Sequence, residues 1–136
     1  MATIKVNLDS VQVTEGQGIG EGDFELRVQA GDGAKTCIWP SLNGYTKVDN
    51  TGPAQTIDKE INRYNVASGT VTKTFNIDVT EVDGGTLGKD DTGHGTVSFD
   101  LTPGMASTSK SVTVSLKRPN MDYLGKVKVT LKAVVL

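Results

Sequence analysis

Apolar and polar residues alternate with a period of two along most of the chain, and that periodicity commits it to half-buried strands. Ile4, Val6 and Leu8 share one parity, while Val11 and Val13 have the other. A bulge or bend near Asp9-Ser10 is expected to restore the phase. Phe24, Leu26, Val28 and Ala30 define a second strand, Thr36 to Trp39 a short third, and Tyr45 to Val48 a candidate fourth. Val71, Phe75, Ile77 and Val79 mark a long strand from about Thr70 to Val82. Val97, Phe99 and Leu101 mark another, as do Val112, Val114 and Leu116. The last runs from Tyr123 through Val127, Val129, Leu131 and Ala133 to Val135.

Turn chemistry separates these runs. Glycine clusters at 15–22, Gly31-Asp-Gly33, Asn43-Gly44, Gly84-Gly85 and Gly93-His-Gly95 read as turns, and Pro40, Pro53, Pro103 and Pro119 fall between strands, where a missing N–H is tolerated. Gln55 to Tyr64 reads two ways. Ile57 and Ile61, with Thr56 as an N-cap, fit a helix, and the same residues fit an irregular strand. About seven or eight short strands with alternating faces favour an all-β, antiparallel β-sandwich over a closed barrel. With no internal repeat or linker, residues 1–136 are expected to form a single domain.

Composition removes several function classes. Fourteen basic and sixteen acidic residues give a net charge of −2, which argues against a nucleic-acid-backbone binder. One cysteine excludes an internal disulfide framework and a thiolate zinc cluster. The N-terminus shows no basic region followed by an apolar stretch, so the expected location is cytoplasmic, or exported without a visible signal peptide. An enzyme is not expected. Nucleophilic catalysis needs a base beside the nucleophile, yet the one histidine, His94, lies between two glycines and reads as a solvated turn residue. Cys37 lies in an apolar strand and reads as a small buried core residue.

Hard-cation chemistry is better supplied. Calcium takes six to eight oxygens from carboxylates, carbonyls and water, best presented by glycine-containing loops. Between Glu81 and Gly93, four acids (Glu81, Asp83, Asp90, Asp91) face one lysine in thirteen residues. Without a cation these carboxylates repel one another; a solvated acidic turn is the alternative reading.

The run Val79-Thr-Glu81-Val-Asp83, followed after six residues by Asp90-Asp91-Thr-Gly93, resembles the third calcium-binding loop of C2 domains. Phe75 in the preceding strand fits the resemblance, and so does a loop between the first two strands carrying Glu15, Glu21 and Asp23. Glu81 stands where aspartate is usual, and the first-loop acids depart from the usual spacing. The resemblance implies a C2-like sandwich that binds Ca2+ through Glu15, Asp23, Glu81, Asp83, Asp90 and Asp91 and engages a membrane, glycan or protein partner at the same end. Both loops must then share one end. Counting strands as alternately up and down, that holds if 55–64 is a helix or crossover and fails if it is a full strand.

Two other functions fit the composition. A lectin-like sandwich would use Trp39, Asn43 and Tyr45, with Tyr64 nearby, as its sugar-binding residues. A structural or self-assembling subunit would use the Thr-rich strands 70–80 and 126–132 as open sheet edges, guarded against pairing by Lys126, Lys128 and Lys132.

Overall fold

A computed structural model describes residues 1–16, 24–82, 91–117 and 125–136. The described residues form nine strands: β1 (Ala2–Glu15), β2 (Phe24–Gly31), β3 (Thr36–Trp39), β4 (Thr46–Val48), β5 (Gln55–Val66), β6 (Val71–Glu81), β7 (Asp91–Leu101), β8 (Thr108–Leu116) and β9 (Gly125–Val135). They pair antiparallel into two sheets. One has the order β5-β1-β9-β8, and the other the order β3-β2-β6-β7 with β4 also on β2. The inward-facing parity of each strand supplies a single core, with Phe24, Phe75 and Phe99 its largest side chains. Phe75 and Phe99 meet edge-to-face at 6.1 Å, the arrangement the ring quadrupole favours.

The phase break in β1 is real. Its register slips between Leu8 and Ser10 against both β5 and β9. Ile4, Val6 and Leu8 before the slip, and Val11 and Val13 after it, are therefore all fully buried.

The 55–64 segment is a strand, not a helix. A spacing of four is an even number, so Ile57 and Ile61 share a strand face as readily as a helix face. Pairing to β1 decides between them. At the slip, Ile57 and Asp58 of β5 lie opposite Asp9 alone, and Asp58 takes a left-handed φ of 51°. That is a β-bulge, and it explains why the periodicity there looked irregular.

The expected consequence of a strand at 55–64, two loops at opposite ends, does not follow. β3 and β4 both run antiparallel to β2, β3 opposite Val28 to Gly31 and β4 opposite Phe24 to Leu26. They are one edge strand interrupted by the excursion 40–45, so they count as a single direction. The direction of β6 is thereby preserved.

The expected sheet edges are also corrected. β6 and β9 are interior strands, and the edges are β5, β8, β7 and the β3/β4 pair. Thr-rich interior strands arise because each sheet has one face on the core and one in water. Lysines do guard the true edges: Lys59 of β5 donates to the Ile38 carbonyl of β3 at 2.9 Å, and Lys110 of β8 donates to the Ser98 carbonyl of β7 at 2.8 Å. Each bond occupies a carbonyl on an edge strand of the facing sheet.

Candidate functional site

Gly125, at the start of β9, lies between the Glu15 carbonyl and the Phe24 ring, so the end of β1 and the start of β2 meet there. Glu15 is opposite Lys126, Phe24 is opposite Val48, and Leu26 is opposite Glu81. Glu81 is in turn opposite Asp91. Thr92 and Lys117 exchange two backbone hydrogen bonds of 2.8 Å, which brings the end of β8 to the start of β7. The segment following β1 and the segment joining β6 to β7 therefore leave from the same end of the sandwich. Asp23, Asp83 and Asp90 belong to those segments and lie outside the described residues.

Glu81 and Asp91 are the best-placed of the described acids. Glu81 has the parity of Phe75, Ile77 and Val79, and Asp91 has that of Val97, Phe99 and Leu101. Both carboxylates therefore point to the core side, at its rim. Asp91 is 1% exposed and Glu81 half-buried. Directly opposed residues on one face have Cβ atoms about 5 Å apart, so the two carboxylates lie close together. A buried carboxylate needs hydrogen bonds or a positive charge around it.

Glu15 stands differently. Its carboxylate lies 3.6 Å from the Lys126 ammonium in a solvent-exposed pair. Such a pair contributes little to stability and yields readily to a stronger cation.

A third segment at this end was not picked out from the sequence. The turn 49–54 joins β4 to β5, and Gln12 Nε2 donates to its Gly52 carbonyl at 3.1 Å. Asp49 is exposed there. Asn50 lies against Gly16, where a Cβ would overlap the amide. Its Oδ1 is buried and accepts no hydrogen bond among the described residues. The available signal was Asp49-Asn50-Thr51-Gly52, which has the same acid-and-glycine character as the loops singled out. Among the described residues, no three His, Cys, Asp or Glu side chains converge into a complete metal set.

Trp39, Asn43 and Tyr45 all lie on or beside the excursion 40–45, along the side of the β3-β2-β6-β7 sheet. Trp39 packs partly buried against the core. Asn43 is exposed, and Tyr45 is 48% exposed. His94 lies within β7, not in a turn; its Nδ1 is 2.9 Å from Asp78 Oδ1, and both side chains are exposed. Its flanking glycines face inward, where a Cβ on Gly93 would overlap Val114 and the Ser115 carbonyl and one on Gly95 would crowd Val112. Close packing of β8, not a turn, explains them. Cys37 is buried, and burial pushes its thiol above the ordinary value, the setting of an inert cysteine.

Protein-family models and curated proteins yield no match to the chain. Among solved structures, the C2A domain of a plant extended synaptotagmin 1 is similar at 13% identity, covering 98% of this chain and 93% of that chain with a TM-score of 0.38. The fold assignment rests on strand pairing: two antiparallel sheets, with the loop between the first two strands and the loop after Glu81 at one end. The fold is C2-like.

Proposed function

We propose that this chain is a calcium-binding C2-like module, not an enzyme, and that the end carrying Glu15, Glu81 and Asp91 engages an anionic surface on a membrane, glycan or protein partner. The observation that carries this reading is the opposition of Glu81 and Asp91 on the core-facing side at the end from which both acidic loops depart. Asp23, Asp83 and Asp90 supply further carboxylates in those loops, and the Asn50 amide oxygen supplies a neutral ligand. Calcium accepts such a mixed oxygen set and tolerates irregular geometry. Once bound, the ion reverses the local charge, so an acidic end becomes able to hold a carboxylate, sulfate or phosphate of a partner.

The test is a calcium titration followed by amide resonances. Saturable shifts at Gly16, Asn50, Glu81 and Asp91 support the reading, and Asp91→Asn should weaken them at least tenfold. Shifts scattered over exposed carboxylates throughout the chain would contradict it. Sedimentation with anionic vesicles, sulfated glycans and neutral vesicles, each with calcium and with chelator, then separates the partner classes.

A further inference from the structure

The outward face of the β3-β2-β6-β7 sheet carries a polar cleft of about 140 Å³, lined by Gln29, Gly31, Gly33, Thr36, Asn76 and Asp78. Its origin is legible in the register. Thr36, Gly31, Asn76 and Thr96 form one cross-strand row, and Ile38, Gln29, Asp78 and His94 form the next. A Cβ at position 31 would overlap Thr36 Oγ1 and the Lys35 carbonyl, so the glycine lets the β2–β3 hairpin close in at one side of the cleft, and polar tips surround it. The His94 Nδ1 contact with Asp78 Oδ1 at 2.9 Å fixes one edge of the Asp78 carboxylate. Along β6, Asn76 is five residues from Glu81, about 16 Å at strand spacing. The cleft is thus separate from the acid-bearing end.

The lining limits the ligand. Two carboxamides supply donors and acceptors, a hydroxyl supplies both, and one carboxylate accepts. Among the described residues no lysine or arginine lines the cleft, so these offer no counter-charge to a phosphate or sulfate. Among the described residues no aromatic or aliphatic side chain lines it either, so the lining does not suit an apolar ligand. Closely spaced carboxamide, carboxylate and hydroxyl groups match vicinal hydroxyls, each of which donates once and accepts twice. The volume is below the range of pockets for drug-sized ligands, which fits one ring rather than an extended chain. Beyond the cleft, Thr74 and Ser98 share a 2.8 Å hydrogen bond and Thr72 donates to Asp100 at 2.7 Å, so the polar surface continues along β6 and β7. We propose that this cleft binds a single neutral sugar residue, independently of calcium, through Gln29, Thr36, Asn76 and Asp78.

The experiment is a resonance titration of the whole chain with free glucose, galactose, mannose, fucose and N-acetylglucosamine, in chelator and in calcium. Titration to about 100 mM detects any dissociation constant tighter than about 10 mM, as expected for a small open site. Saturable shifts confined to Gln29, Gly31, Thr36, Asn76 and Asp78, equal in both conditions, are the expected result. Asn76→Ala and Asp78→Ala change exposed side chains and should each weaken binding at least tenfold, with Thr92→Ala as a folded control. No saturable shift with any sugar, or shifts that survive both substitutions, would overturn the proposal. Methylammonium serves as the competing probe: saturation by it and by none of the sugars would show a cation site instead. The result is independent of the calcium titration, so failure of either leaves the other standing.

Discussion

Tyr64 donates its phenolic hydrogen to Asp32 Oδ2 at 2.5 Å, and so fastens the β2–β3 hairpin of one sheet to β5 of the other. Asn62 Nδ2 donates to the same oxygen at 2.9 Å, while the backbone N–H groups of Ala34 and Lys35 donate to Oδ1. Partial burial opposes ionisation of Asp32, but these four hydrogen bonds outweigh it and hold the carboxyl well below the usual carboxylate range. Burial and the Asp32 carboxylate push the Tyr64 phenol above its ordinary value.

The pair therefore stabilises the fold over a defined pH window. Asp32 has a depressed folded value, so its contribution is present above the ordinary 3.8 and is lost as pH falls below it. Tyr64 has a raised folded value, so its contribution is present below the ordinary 10.0 and is lost as pH rises beyond it. Tyr64→Phe should cost about 1.5–3 kcal/mol in urea melts at neutral pH, the range of a hydrogen bond to a charged group. It should flatten the stability profile at both extremes. An unchanged acid limb in the variant would contradict this account of Asp32.

Glycines 93 and 95 carry the seam between β7 and β8. Gly93→Ala should destabilise by about 1–3 kcal/mol, because the new Cβ meets backbone as well as side chain and the seam must open. His94→Ala, between them but outward-facing, should stay within about 0.5 kcal/mol of the parent. Equal effects at the two positions in chemical denaturation would refute the packing explanation.

These glycines also show where the sequence was and was not legible. Strand existence was legible because the alternation of Ile4, Val6 and Leu8, or of Val127, Val129 and Leu131, follows directly from burial of one face. The β1 bulge was legible because it reverses that parity. Gly93-His-Gly95 read as a turn because glycine signals both a turn and a close approach, and only the neighbouring strand distinguishes them. Helix and strand were indistinguishable at Ile57 and Ile61 for a related reason: four is an even spacing. The identity of edge and interior strands depends on long-range pairing that local pattern does not encode. So the lysines of β9 read as edge guards in the sequence, while Lys59 and Lys110 perform that role. At the acid-bearing end, Glu81 and Asp91 stood out as a charge run. Asn50 did not, because an uncharged amide becomes notable only when its oxygen is buried without a partner.

Lys59 and Lys110 give a prediction about association. Replacing both with methionine keeps most of the apolar stem and removes the donors to the Ile38 and Ser98 carbonyls. Stability should change by less than about 1 kcal/mol per site, since exposed polar contacts contribute little. Uncovered edge strands should pair between molecules, raising the mass seen by light scattering with concentration relative to the parent. Identical concentration profiles would show that the lysines do not protect the edges.

Asn50 separates a structural role from a ligand role by the sign of its effect. Its buried Oδ1 lacks a hydrogen-bond donor among the described residues, a condition that costs about 1–3 kcal/mol. Asn50→Ala should therefore be neutral or stabilising in chelator. In calcium the same substitution should weaken ion affinity at least tenfold by calorimetric titration. Lower stability in chelator with unchanged calcium affinity would assign Asn50 to loop packing alone.

Calcium bound at the end where Glu81 faces Asp91 must stabilise the folded chain. Thermal melts in calcium, in magnesium and in chelator test it most directly. A ligand that binds the folded state alone stabilises it by about 2.7 kcal/mol at a hundredfold excess over its dissociation constant. The melting temperature should be higher in millimolar calcium than in chelator, with a smaller shift in magnesium and loss of the calcium shift in Asp91→Asn. Coincident melts in calcium and chelator for the parent chain would contradict it.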